Sequence, residues 1–153
     1  MRASATTTWT WTWTNIATVL ARLIFAGVFA MAMAFKFADP NGTAGYIASI
    51  GFPAPLLFAW LAAFFELALV LAFLTGALFT EAALLAALYV LFLGFAFHGP
   101  AHWAVNPMEF GFFTDHFTFL AGLLFAAAHG PGDVLAWKLH VARNNGRLTV
   151  ARA

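Results

Sequence analysis

The sequence predicts an all-α fold, a bundle of four transmembrane helices with a short interfacial helix between the first two spans. Three observations carry that prediction. Hydrophobic residues make up 63% of the 153 residues and charged residues only 8%, against about 45–50% and 25% in soluble domains. The apolar residues fall into runs of about 20, the length that crosses about 30 Å of hydrocarbon. Between the runs stand turn and cap residues: Asp39-Pro40-Asn41-Gly42, Thr75-Gly76, Gly99-Pro100 and Gly130-Pro131-Gly132.

Composition also excludes several classes of function. A formal net charge of +1 gives nucleic acid nothing to bind. The absence of cysteine removes thiol, disulfide and thiolate-metal chemistry, so any redox centre must use histidine, carboxylate or a bound organic cofactor. The length accommodates a polar, Trp/Thr-rich N-terminal segment (1–14), a four-helix membrane domain (15–132) and a basic amphipathic tail (133–153), with no large extramembrane domain.

Taken in order, Trp9, Trp11 and Trp13 alternate with threonines and read as an interfacial anchor. The first span runs from about Asn15 to Phe37, with Arg22 inside it and Lys36 at its far end; Ala26, Ala30 and Ala34 let another helix approach closely. Ala30-Met31-Ala32 and Ala32-Met33-Ala34 also have the small-residue form of a signal-peptide cleavage site. Thr43 is expected to cap a short interfacial helix, Ala44 to Ile50, too short to cross a bilayer. Pro55 opens the second span, which ends at Thr75-Gly76, and Thr80 with Glu81 opens the third, running to His98. The fourth span ends at His129 and starts either at the capping-box pattern Asn106-Pro107-Met108-Glu109 or at Thr114-Asp115. A start at Asp115 leaves only about 22 Å of helix, so the earlier or a broken start is favoured. Val134, Trp137 and Val141 interleave with basic residues and suggest a surface helix in the tail.

Ionisable residues inside spans need a partner, because an unpaired charge at the bilayer centre costs about 2.5–3.5 kcal/mol on insertion scales. Centring the first two spans places Arg22 and Glu66 within about 4 Å in depth, so they are expected to pair. That pair, with Lys36 and His98, forms a candidate intramembrane polar pocket. His102, Asp115 and His116 form a second cluster at the same face. His98, His102 and His116 could together hold a metal, or two of them a haem, but no metalloprotein spacing is present, so neither group is expected.

Several pieces, in order and spacing, carry a family resemblance. They are Arg22-Leu23-Ile24-Phe25-Ala26-Gly27, the stretch from Gly42 to Pro55, Phe65-Glu66-Leu67, Leu74-Thr75-Gly76, His98, Phe119 to Leu124 and Gly130-Pro131-Gly132. Together they resemble the DoxX family of small bacterial membrane proteins. Glu81 stands where that family usually has a basic residue, and Asp115-His116 where it tends to have lysine and asparagine. The resemblance implies a four-helix bundle linked to respiratory redox chemistry, with relatives that include the membrane subunit of a quinone-reducing thiosulfate oxidoreductase. It points to a quinone-linked oxidoreductase subunit or accessory protein of a respiratory complex, with the cofactor left open and quinone as the candidate. The lipid bilayer and other membrane subunits are the expected partners. Non-catalytic assembly subunit and lipid or small-molecule carrier are the alternatives. Lys138, Arg143, Arg147 and Arg152 in the tail and Arg2 at the other terminus place both termini in the cytoplasm of a bacterial inner membrane by the positive-inside rule.

Overall fold

A computed structural model describes residues 11–137, 139–144 and 147–152, and side-chain surroundings for residues 11–137. The membrane domain is helical throughout: α1 (Trp13–Ala38), α2 (Pro40–Ser49), α3 (Pro55–Thr75), α4 (Phe79–His98) and α5 (Met108–His129), with one 3-10 turn at Pro100–His102. Four helical stretches, Trp13–Ala38, Pro55–Thr75, Phe79–His102 and Met108–His129, are long and apolar enough to cross a membrane. Only α2, at 10 residues, is too short.

Local chemistry explains the boundaries. The Thr12 hydroxyl accepts from the Asn15 N–H at 3.3 Å and starts α1, two residues earlier than the sequence suggests. The interfacial helix begins at Pro40 and not at Ala44, because Asp39, rather than Thr43, is its cap: the carboxylate accepts from the Gly42 N–H at 2.8 Å while Pro40 supplies a ready helical φ. Thr80 likewise does not cap α4, which begins one residue earlier after Leu78 at φ 52°. In the same turn Gly76 has φ 73°, and an added Cβ there would come within 2.8 Å of Ala136, so glycine is required on two counts. The earlier of the two α5 starts is the observed one: Asn106 Oδ1 accepts from the Met108 N–H at 3.1 Å, and its Nδ2 donates to Glu109 at 3.1 Å.

The helices alternate in direction, so one end of the bundle gathers the end of α1, α2, the start of α3, the end of α4 and the start of α5. This is called the α2 end below. α1 packs along α3, α4 along α5, and α2 lies on α3. The half of the bundle away from α2 is filled by aromatic rings: Phe73, fully buried, contacts Phe25, Phe29 and Phe79 with centroids 5.5 to 5.9 Å apart. α4 buries Ala82, Ala83, Ala86, Ala87 and Gly94 and packs along α5. Small residues there let backbones approach, the main source of helix association in lipid. A Cβ on Gly94 would lie 3.0 Å from the His116 Cβ. Gly94→Leu is therefore expected to lower stability by about 1–3 kcal/mol through overpacking, read as an earlier unfolding midpoint in mixed micelles; an unchanged midpoint would mean the two helices are not held this closely.

The tail departs from the expected helix. Residues Leu139–Asn144 and Arg147–Arg152 pair as antiparallel strands β1 and β2, with Val141 opposite Val150. A two-stranded ladder satisfies backbone groups locally through β-branched and alternating residues, which the helical reading of the basic positions did not weigh. Arg2, Trp9 and the N-terminal segment to residue 10, and the tail's basic side chains from Lys138 onward, lie outside the described residues. Trp11 and Trp13 are exposed.

Candidate functional site

Arg22 and Glu66 do not meet. Arg22 is buried, and its guanidinium donates to five backbone carbonyls: Nε to Phe73 at 3.0 Å, Nη2 to Leu74 and Leu135 at 2.7 Å each, and Nη1 to Val134 at 3.0 Å and Pro131 at 3.4 Å. Phe73 and Leu74 belong to the last turn of α3, whose carbonyls have no helical partner and carry the negative end of the helix dipole. Arg22 thus caps α3 and stitches residues 131–135 beneath it. Its positive charge is met by aligned carbonyl dipoles.

Glu66, 1% exposed, takes its charge partner from the other end of α1. Lys36 Nζ lies 2.9 Å from Glu66 Oε1, and the Tyr89 hydroxyl donates to the same oxygen at 2.9 Å. Two features of helices account for this. Each Cα–Cβ bond tilts toward its helix N-terminus, so Arg22 and Lys36 both point away from the α2 end, while Glu66, on an antiparallel helix, points toward it. Lys36 and Glu66 therefore converge, and Arg22 and Glu66 diverge. The helices are also staggered. Phe37 meets Trp60 and Phe64, while Phe25 and Phe29 meet Phe73. On that register Lys36 sits about 4.5 Å in depth from Glu66, but Arg22 about 16 Å.

The Lys36–Glu66–Tyr89 group borders a cavity of about 680 Å³ in the α2 half of the bundle. That volume lies within the range of about 300–1,000 Å³ typical of small-molecule sites. Phe35, Phe52, Phe58, Phe65, Phe92 and Phe97 supply much of its wall, and α2 contributes Thr43, Tyr46 and Ile47, with Ile50 just past its end. Phenylalanine thus fills the core in one half of the molecule and lines the cavity in the other. The polar lining is sparse: Lys36, Thr43, Tyr46, Tyr89, His98 and His116.

Lys36 Nζ also reaches the Ala32 carbonyl at 3.4 Å, so its bonds among the described residues occupy two of three N–H directions. His98 Nδ1 lies 2.5 Å from Glu109 Oε2, and the His98 and His116 ring centroids are 5.0 Å apart. His116 Nδ1 bonds the Phe112 carbonyl at 2.7 Å. Of the expected second cluster, His116 joins the cavity, while His102 and Asp115 stay outside its lining and Asp115 is exposed. Among the described residues no three histidine or acidic side chains gather around a metal position.

Sequence reasoning missed Tyr89, Tyr46 and Glu109. A signal existed for the first two, since these are the chain's two tyrosines and one falls in the middle of an apolar run, where a hydroxyl needs a partner. Glu109 was read as a capping residue alone. It also acts on α2: burial pushes the Tyr46 hydroxyl above the ordinary tyrosine range, and the nearby Glu109 charge adds to the shift. The neutral hydroxyl is therefore favoured in the folded state below the unfolded tyrosine value of about 10, and that contribution is lost as pH rises through the raised folded value. Glu109→Gln is expected to move the Tyr46 midpoint down, followed as tyrosinate absorbance in a Tyr89→Phe background; an unmoved midpoint would separate the two groups.

Fold and geometry together define a four-span helical membrane protein with an aromatic-walled cavity built over an internal ion pair. The chain belongs to the DoxX family, whose sequence model matches residues 17–99. The match carries Lys36, Glu66, Tyr89 and His98 and ends before Glu109 and His116. No curated protein and no solved structure matches the chain.

Proposed function

We propose that the cavity binds the headgroup of a lipid-soluble quinone, and that the protein is a small subunit or accessory protein of a quinone-linked redox assembly. The observation that carries this reading is an ammonium, Lys36, held by a buried carboxylate at the edge of a phenylalanine-lined cavity that also contains two imidazoles. A quinone ring is flat and apolar, with oxygens at opposite ends. Aromatic walls suit the ring and Lys36 suits one oxygen, while the imidazoles add polar groups to an otherwise apolar lining. The resemblance to the DoxX family, which implies a link to respiratory redox chemistry, agrees with that reading. The site is set in the bacterial inner membrane with both termini in the cytoplasm, which puts the cavity in the outer half of the bilayer.

The test is a titration of the purified protein in lipid nanodiscs with decylubiquinone and menadione, followed by tryptophan fluorescence. Saturable binding near one per chain is expected. Ala62→Phe, which fills the cavity, should weaken it at least about ten-fold, as overpacking a preformed site does. Binding that ignores this substitution, or no saturable binding, would leave the assembly-subunit or lipid-carrier readings in its place.

A further inference from the structure

We infer that the cavity distinguishes the redox forms of its ligand and holds the hydroquinone more tightly than the quinone. This rests on the quinone reading above and goes beyond it by naming the form preferred.

The argument is a count of donors and acceptors. The Phe112 carbonyl can only accept, so the 2.7 Å contact places a hydrogen on His116 Nδ1. A neutral imidazole with that tautomer has one further site, Nε2, and it is an acceptor. His98 is constrained in the same way. Its Nδ1 faces the Glu109 carboxylate at 2.5 Å, Asn106 holds the other carboxylate oxygen at 3.1 Å, and the Trp103 indole donates to the His98 carbonyl at 2.9 Å. Both rings therefore spend Nδ1 on the protein, and in the neutral state each keeps Nε2 as an acceptor on a ring that lines the cavity. Lys36 is the opposite case, a donor with no acceptor capacity. The Tyr89 hydroxyl, already donating to Glu66, keeps only acceptor capacity toward a ligand. Glu66 Oε2 is a further buried acceptor with no hydrogen-bond partner among the described residues.

A quinone presents two acceptors. One pairs with Lys36, and the other, where it faces a lone pair on imidazole, gains no hydrogen bond there, which is the costly arrangement. A hydroquinone accepts from Lys36 at one oxygen and donates its O–H to Nε2 at the other. The polar groups around the cavity are Lys36 on α1, Thr43 and Tyr46 on α2, Tyr89 and His98 on α4 and His116 on α5, with Glu66 behind Lys36 and Glu109 behind His98; the Tyr46 hydroxyl can donate as well as accept and serves either redox form. Lys36 is the one lysine or arginine among them.

Three probes test it on the wild-type protein in anaerobic nanodiscs: menadione, its reduced form menadiol, and menadiol dimethyl ether, which cannot donate. Menadiol is expected to bind about ten-fold more tightly than menadione, with the dimethyl ether no better than menadione. A ten-fold preference for the reduced form raises the midpoint potential of the bound couple by about 30 mV, a second and independent reading. His116→Leu, which removes one of the two imidazole acceptors, should narrow the ratio of menadiol to menadione affinity. Equal or tighter binding of menadione overturns the inference and leaves the quinone reading standing. Failure of either redox form to bind overturns both.

Discussion

Replacing Arg22 with methionine is expected to lower the unfolding free energy by about 3–5 kcal/mol, measured by far-UV circular dichroism through an SDS titration in mixed micelles. The effect is large because one side chain satisfies carbonyls from two separate segments, the last turn of α3 and residues 131–135. Without the guanidinium, the end of α3 loses its cap and the 131–135 segment loses its attachment together. Arg22→Lys should recover only a minor part, since a single ammonium has three N–H directions and no planar fork. A methionine variant as stable as wild type would mean those carbonyls are satisfied by something else.

The second large effect is at Glu66. Glu66→Leu removes the acceptor of both Lys36 and the Tyr89 hydroxyl. Lys36 sits near the end of α1 with its side chain 19% exposed, so it can turn partly toward water and soften the loss to about 2–3 kcal/mol. Lys36→Met combined with Glu66→Leu should recover much of that, because a well-packed apolar pair in place of a buried ion pair is often neutral. Glu66→Gln, which still accepts from Tyr89, should fall between wild type and leucine. Equal loss in the glutamine and leucine variants would remove the hydroxyl from the account.

The fold was legible because hydrocarbon enforces it: four apolar runs of the right length, separated by Pro, Gly and Asp, leave helices as the spanning solution. The start of α5 was legible from Asn106 and Glu109, whose capping chemistry is local in sequence. The identity of the buried charges was legible too, since each of Arg22, Lys36 and Glu66 is conspicuous in an apolar run. Their pairing was not. Centring each span treats helices as equal rods, whereas α1 has 26 residues and α3 has 21, and they pack with a stagger. It also ignores that side chains lean toward the helix N-terminus, which turns Arg22 away from Glu66 and Lys36 toward it. The cavity was hidden for another reason. Phe65 and Phe73 sit on one helix, yet one lines the cavity and the other is core, and only the positions of neighbouring helices separate the two roles. Tail strands β1 and β2 escaped because an alternating stretch with basic residues reads equally well at either period.

The pairing of Glu66 is the point on which the site depends, and two double-mutant cycles measured side by side test it. Lys36→Met with Glu66→Leu should show a coupling free energy of at least about 1 kcal/mol, while Arg22→Met with Glu66→Leu should be additive within about 0.5 kcal/mol. Coupling found between Arg22 and Glu66, with none between Lys36 and Glu66, would contradict the arrangement and with it the polar edge of the cavity.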